Sequence, residues 1–317
     1  MKNNDEVKVS VCVVAYNQEN YIRQCMQSIV DQETDFKFEV IVGEDCSTDG
    51  TREIIAEFQS KYPFLISPIL HTENVGVVDN CVFTYKSARG KYICHMDGDD
   101  YMLPGKLQKQ VDSLEKNQDC VICSHDMVVV DKNGVQLRSS FRRHRPGINT
   151  LMDLYEQLPF FANSSKMFVN MRDDLFWEEL HPNALDVEVH IKQAGKGDVY
   201  HIDECLGAYR AISGVSSQAV GVNPLLVSGI TRVFEAALKD SSLDKDFIKR
   251  SYAASMFRYA YQSAVRGDVL GLKKYIIFST SICNYSAEQK IFRVLSRFPR
   301  AVVFLCKCRA FLRGYDV

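Results

Sequence analysis

The sequence predicts an α/β fold, a mostly parallel, doubly wound sheet flanked by helices, with a helical C-terminal extension. Three observations carry this. Short runs apolar on both faces alternate with segments of three- and four-residue apolar spacing through the first 130 residues, the pattern of buried parallel strands joined by crossover helices. That regularity breaks after about residue 140, and from about residue 222 onward the signals are mostly helical. No internal repeat or low-complexity run competes with this reading.

KVSVCVVA (8–15) reads as the first buried strand. Asn17 is expected to cap a helix striped by Ile22, Cys25, Met26, Ile29 and Val30. FEVIVGE is the second strand; Ser47, Thr48 and Asp49 then precede a helix striped by Ile54, Ile55 and Phe58. FLISPIL, an amphipathic stretch around 77–88 and KYICHM continue the alternation. Pro104 opens a helix with Leu107, Val111 and Leu114 inward, and CVICSHDMVVVD is a further strand. Beyond it come FRRHRPG, a short helix, mixed segments to about 200 and the strand-turn passage HIDECLGAYRAISG.

With 317 residues, 46% apolar, 25% charged and only 17 Gly and 8 Pro, the chain has the composition of a folded globular protein and not of a collagen-like or disordered one. The net charge of −2 excludes a general polyanion binder, so no nucleic acid is expected as partner. The average hides a segregation: from Lys290 onward seven basic residues face one acid, leaving the tail near +6 and the rest near −8. No run approaches the roughly 20 apolar residues that span a bilayer, and MKNNDEVKVS lacks the apolar middle of a signal peptide, so a cytoplasmic location is expected. Eleven cysteines, scattered through apolar runs, read as free thiols used as small hydrophobes. Cys120 and Cys123 form a CxxC with His125 nearby, but no second pair stands at zinc-ribbon spacing.

In a doubly wound sheet, ligands belong at the carboxyl ends of the strands. The expected strand ends carry Ala15-Tyr16-Asn17, Glu44-Asp45 and Asp97-Gly98-Asp99-Asp100. Carboxylates repel a diphosphate, but a divalent cation between them takes oxygen ligands from both. The DGDD run is therefore either a metal–phosphate site or a polar turn, with Gly98 giving the backbone room close to a nucleotide.

Here a resemblance enters. VSVCVVAYNQENYIRQCMQSIVDQ, FEVIVGEDCSTDGT and NVGVVDNCVFTYKSARGKYICHMDGDDYMLPGKL are similar to the nucleotide-binding half of the family 2 glycosyltransferases, whose GT-A fold is Rossmann-like. The similarity covers roughly residues 7–130 and continues more weakly to about 217. It implies inverting transfer of a sugar from a nucleotide diphosphate donor, a UDP-sugar, assisted by Mn²⁺ or Mg²⁺. It also implies a catalytic domain over 1–220, with a nucleotide-sugar half (7–130) and an acceptor half (131–220), before a helical region over 221–317. Ala15, Tyr16 and Asn17 would line the base and ribose pocket, Tyr16 stacking on the base; Asp45 would bond the base edge, and Asn74 would belong to the donor loop. Asp97 would contact ribose or metal, and Asp99 the metal. Tyr16 as an ordinary core-edge aromatic and Asp45 as a cap of the next helix stay open beside these roles. Many members carry a basic residue where this chain has Asp79; Arg89, Lys91 or Arg210 could compensate.

Inversion needs a general base opposite the leaving group. LDVEVHIKQAGKGDVYHIDECLGAYRAISGVSS resembles the family's acidic helix, strand and Tyr-Arg element, which places Asp186 as base and Glu188 second. Asp186 as a helix-start acid is the structural alternative. Arg210 would face the diphosphate or form a structural ion pair, and Asp100 would border the acceptor or the metal's water shell. The tail 290–317 interleaves Phe, Leu and Val with Arg and Lys, which suits either a helix in an anionic membrane interface or one packed on protein. The expected acceptor is a saccharide on a lipid carrier, in surface-polysaccharide synthesis at the inner face of the membrane. Two competitors remain: a silent nucleotide-sugar-binding or assembly protein, and a two-carboxylate glycoside hydrolase.

Overall fold

A computed structural model describes residues 6–142, 144–158, 160–172, 174–211 and 221–312. The chain divides into two compact units: Met1–Leu151 with Pro159–Gly214, and Met152–Leu158 with Val215–Val317.

The first unit opens as expected, with β1 (Val9–Ala15), α1 (Ile22–Val30), β2 (Phe38–Glu44), α2 (Thr51–Lys61), β3 (Ile66–Leu70), α3 (Val77–Lys86) and β4 (Tyr92–Asp97). There follow β5 (Tyr101–Met102), α4 (Lys106–Lys116), β6 (Cys120–Val130), β7 (Gln136–Arg138) and β8 (Gly147–Asn149), then α5 (Leu151–Glu156), whose residues from Met152 onward belong to the second unit. A 3₁₀ turn (Asn163–Ser165), β9 (Met167–Val169), α6 (Asp174–Glu178), α7 (Asp186–Ala194) and β10 (Asp198–Arg210) complete the first unit. The sheet order is β3-β2-β1-β4-β9-β6-β10-β5, with β7 on β6 and β8 on β10. The long strands pair in parallel, β3-β2-β1-β4 and β6-β10. Short β9 lies antiparallel between β4 and β6, so the sheet is mixed. Pro68 is tolerated because β3 is the edge strand.

The apolar periodicity translates directly into packing. Every residue of β1 is buried, and Ile22, Cys25, Met26 and Ile29 of α1 join Leu107, Val111 and Leu114 of α4 in one core. Gly43 of β2 lets α3 come close: a Cβ there would collide with Asn80 and Thr84. One expectation fails locally. Asn17 does not cap α1, which begins five residues later after Tyr21; Asn17 takes a left-handed backbone (φ 51°) and bonds another loop. Strand order reverses direction around β1, which is flanked by β2 and β4, and it is at this switch point that Ala15–Asn17 and Asp97–Asp100 emerge.

The second unit is helical: α8 (Pro224–Lys239), α9 (Lys245–Arg266), α10 (Val269–Ile282), α11 (Ala287–Leu295) and α12 (Pro299–Leu312). Side chains of Asn223, Asp244, Asp268 and Ser286 cap the first four by accepting from backbone N–H groups of the first turn. Phe234 stacks on Tyr252 at 4.8 Å between ring centres, joining α8 to α9. All eleven cysteines are free.

Candidate active site

At the ends of β1 and β2 the loops are stitched together by short polar side chains. Ala15 accepts the Asp45 N–H (3.0 Å). Asn17 receives the Thr48 N–H on its Oδ1 (2.8 Å) and donates its own N–H to Ser47 Oγ (3.0 Å). Asp45 is buried and does not cap α2: its two carboxylate oxygens accept the N–H groups of Val75 (2.7 Å) and Gly76 (3.1 Å), while Asn74 Nδ2 donates to the Asp45 carbonyl (3.1 Å). Asp45 and Asn74 thus fix the loop leading into α3. Within this stitched rim Tyr16 is left 47% exposed. A tyrosine excluded from the core at a strand end offers a flat apolar face to a ligand.

The DGDD turn leaves β4 next to this rim. The Gly98 N–H donates to the Val14 carbonyl (2.9 Å), and a Cβ at Gly98 would strike Gln18, Ile22 and that carbonyl. The glycine thus lets the turn pass close to β1 and the start of α1. Asp97 is oriented from behind by a buried relay: Tyr85 Oη lies 2.7 Å from His95 Nδ1, and His95 Nε2 lies 3.1 Å from Asp97 Oδ1. On the other oxygen Ser164 Oγ donates (3.1 Å), and the Asp97 N–H donates to the same hydroxyl (3.0 Å). Burial alone would raise the Asp97 pKa, but His95, Ser164 and Lys166 outweigh it and hold the carboxylate below its usual range. Asp100, expected on the acceptor side, is instead buried. Its Oδ1 accepts the Arg210 N–H (2.8 Å) and its Oδ2 is an orphaned buried oxygen; burial, with Asp99 and Asp97 close by, pushes its pKa well up.

Among the described residues no three His, Cys, Asp or Glu side chains could hold a metal ion by themselves. The donor chemistry fits a hard divalent cation all the same. Three neighbouring acids crowd negative charge, one of their oxygens lacks a donor, and carboxylate oxygen is the ligand Mg²⁺ and Mn²⁺ prefer. Asp97 and Asp99 are the carboxylates that would hold it.

Asp186, on the first turn of α7, lies within electrostatic reach of Asp97, His95 and Lys166, so residues far apart in sequence converge. Its Oδ1 accepts the Val187 N–H (2.8 Å). Burial raises its pKa; the Val187 N–H and Lys166 offset only part of that. Glu188, the second-choice base, reaches back to the Leu185 N–H (2.8 Å) and completes the helix start. Both acids thus accept a backbone N–H at the start of α7, and Asp186 in addition lies within electrostatic reach of Asp97 and Lys166.

Arg210, expected to face the diphosphate or to serve structurally, is engaged by backbone carbonyls. It is buried; Nε donates to the Asp99 carbonyl (2.9 Å), one terminal nitrogen to the carbonyls of Asp131 (2.9 Å) and Lys132 (3.2 Å), and the other to Gln24 Oε1 (2.9 Å). The guanidinium also lies 4.6 Å from the Tyr21 ring centre. Its donors clamp the loops at Asp99 and at Asp131 and Lys132. Arg89 is likewise bound to Glu39 (Nε to Oε2, 2.8 Å), and Lys91 to Glu115 (3.0 Å).

Two cations escaped the sequence reading. Lys166 and Lys106 are the bulkiest fully buried side chains. Lys166 Nζ donates to Gln193 Oε1 (3.3 Å) and sits 5.0 Å from the Phe168 ring centre; burial brings its pKa down to about 8, against the pull of Asp186, Cys81 and Asp97. Lys106 Nζ donates to the Ser164 carbonyl, and burial lowers its pKa too. A weak signal existed in each case. Lys106 falls on the inward stripe with Leu107 and Val111, and Lys166 directly precedes the buried strand MFV.

The sequence profile described as "Glycosyl transferase family 2" matches residues 10–176. The chain is 31% identical over 209 residues to "Uncharacterized protein Rv1520" of Mycobacterium tuberculosis, covering 64% of this chain and 58% of that one; it thus spans less than two thirds of that relative's length. It is 35% identical over 106 residues to "Putative teichuronic acid biosynthesis glycosyltransferase TuaG" of Bacillus subtilis, covering 33% of this chain and 41% of the relative. Among solved structures, S. aureus TarS 1-349 in complex with UDP-GlcNAc superposes with a TM-score of 0.64 at 19% identity, covering 97% of this chain and 92% of TarS. That likeness speaks for the fold.

Proposed function

The chain belongs to glycosyl transferase family 2, and on that premise we propose that it transfers a sugar, with inversion, from a nucleoside diphosphate donor to a saccharide acceptor. The donor is a UDP-sugar, and the acceptor is a saccharide carried on a lipid, in surface-polysaccharide synthesis at the cytoplasmic face of the membrane. The observation that carries this reading is the convergence of Asp97, held low and oriented by His95, with Asp186, held high by burial, from distant parts of the first unit's sequence. Two carboxylates pushed apart in pKa take different work.

Residues 7–130 hold the donor. Tyr16 stacks on the base, and Asp45, already accepting two backbone N–H groups, presents remaining lone pairs to the base edge. Asp97 and Asp99 would hold the cation, which when bound would supply positive charge to offset that of the departing diphosphate. Residues 131–220 present the acceptor. Asp186 takes the hydroxyl proton on Oδ2, since Oδ1 already receives the Val187 N–H, and its raised pKa makes it a better base than an ordinary aspartate. Lys166 supports the ionised form of Asp186. A panel of nucleotide-sugars with and without Mn²⁺ tests the reading: UDP-sugar turnover is expected with the cation and should vanish with a chelator. Undiminished turnover in chelator would overturn it.

A further inference from the structure

α11 is built the wrong way round for a helix that only packs. Its inward residues are Gln289, fully buried and donating to Ser279 Oγ (2.8 Å) and the Cys283 carbonyl (3.0 Å), and Phe292, whose ring lies 5.2 Å from that of Phe257; Ser296, just past its end, is buried too. Its aliphatic residues point the other way. Ile291, Val294 and Leu295 follow the i, i+3, i+4 spacing of one helical stripe and are 59%, 59% and 40% exposed, and Phe298, in the turn before α12, is 70% exposed. α12 repeats the arrangement: Val302 and Cys306 are buried, while Phe304 and Leu305 stay open at 67% and 57%. A row of exposed apolar side chains along a helix face marks an interaction site.

Charge selects the occupant. Between residues 287 and 312 six cations, Lys290, Arg293, Arg297, Arg300, Lys307 and Arg309, are exposed, and the one acid, Glu288, is 3.2 Å from Arg309. A second copy of this chain meeting the surface about a two-fold axis would set cations against cations. Among the described residues no helix is long and apolar enough to cross a membrane. A helix pair with an aliphatic and aromatic stripe edged by Arg and Lys has the pattern that lies in an anionic bilayer interface, with apolar side chains below the headgroups and cations among them. We propose that α11 and α12 form a membrane-docking surface for anionic phospholipid. It is a property of the second unit and holds whatever sugar the chain transfers.

Sedimentation of the full chain with vesicles tests this. Binding is expected to phosphatidylcholine vesicles containing phosphatidylglycerol, with far weaker binding to phosphatidylcholine alone, and salt should reduce it. Each cation near an anionic surface contributes about fivefold in partitioning, so the triple change Lys290→Gln, Arg293→Gln, Arg297→Gln should cost on the order of 10²-fold. The pair Ile291→Asp, Phe298→Asp should abolish binding while circular dichroism stays unchanged, because these side chains are already solvated in the free protein. Equal partitioning to both vesicle types, or retained binding by either variant, overturns the proposal. So does a concentration-dependent dimer, seen by light scattering without lipid, that Ile291→Asp dissolves: the surface would then belong to a second copy.

Discussion

The two sides of the candidate site are stabilised differently. On the donor side, Asn17, Asp45 and Asn74 lie at strand ends or in loops and bond to backbone groups of the neighbouring loop, so each polar group is satisfied close to the surface. On the acceptor side the polar groups lie deep. Lys166, His190 and Gln193 are almost wholly buried, and Gln193 Nε2 has no hydrogen-bond partner. The donor rim is thus pre-formed by local geometry. Lys166, His190 and Asp186 balance one another in the interior, where each is worth more and costs more to disturb.

The sharpest way to separate the two sides is to break one at a time. Asp99→Ala should abolish cation-dependent UDP binding, read by calorimetry. Asp186→Asn should leave that binding intact while the transfer rate falls on the order of 10²-fold or more. Glu188→Gln should change the rate little, because its side chain serves the helix start, where losing such a bond costs about 1 kcal/mol of stability. An unchanged rate in Asp186→Asn would dissolve the division. The kcat/KM profile adds a direction: the acid limb set by Asp186 should lie above the ordinary aspartate value of about 3.9, since burial raises it, and should disappear in Asp186→Asn.

This difference also explains what could be read from the sequence. The donor half was legible because its determinants are local. β1 is apolar throughout, the stripe of α1 is periodic, and DGDD stands where a strand must end, so position in the pattern gave position in space. Asp186 was reached through similarity and not through pattern. The partners that tune it were invisible, because Lys166 and His95 acquire their roles only when β9, inserted antiparallel between β4 and β6, brings them beside residues distant in sequence. Arg210 shows the converse. A Tyr-Arg pair suggests a phosphate contact, yet in a buried strand end its guanidinium is consumed by the carbonyls of Asp99, Asp131 and Lys132. Composition cannot say how many donors remain after the fold has taken its share.

A middle-sized effect belongs to the relay behind Asp97. His95→Leu removes the group that fixes Asp97 Oδ1, and second-layer changes of this kind cost about 10–100-fold in cation affinity. His95→Gln can still donate toward Asp97 and should recover part of the loss. Mn²⁺ affinity in the presence of UDP, followed by electron paramagnetic resonance, reads this without turnover. Equal affinity in the wild-type chain and in His95→Leu would reduce the relay to packing.

The smallest effect per residue concerns acid stability, and it extends the comparison to the second unit. All seven histidines lie between residues 71 and 201, and the helical unit has none. Burial holds the pKa of His125 and of His190 well below the usual value, and Lys106 beside the first and Lys166 beside the second push the same way. Above about pH 6.5 neither the folded nor the unfolded chain protonates these rings, so nothing changes. As the pH falls through that value the unfolded chain binds protons that the native state refuses, and stability declines by up to about 1.4 kcal/mol per pH unit for each ring. Denaturation followed between neutral pH and about pH 5 should therefore show the sheet unit losing stability while the helical unit, lacking any such group, holds its own. His190→Gln, which can keep a polar contact to Asn163, should remove its share of the slope. If both units weaken in parallel, the buried imidazoles are not the acid-labile element, and the contrast between a charge-balanced sheet unit and a helical one would have to rest on the carboxylates alone.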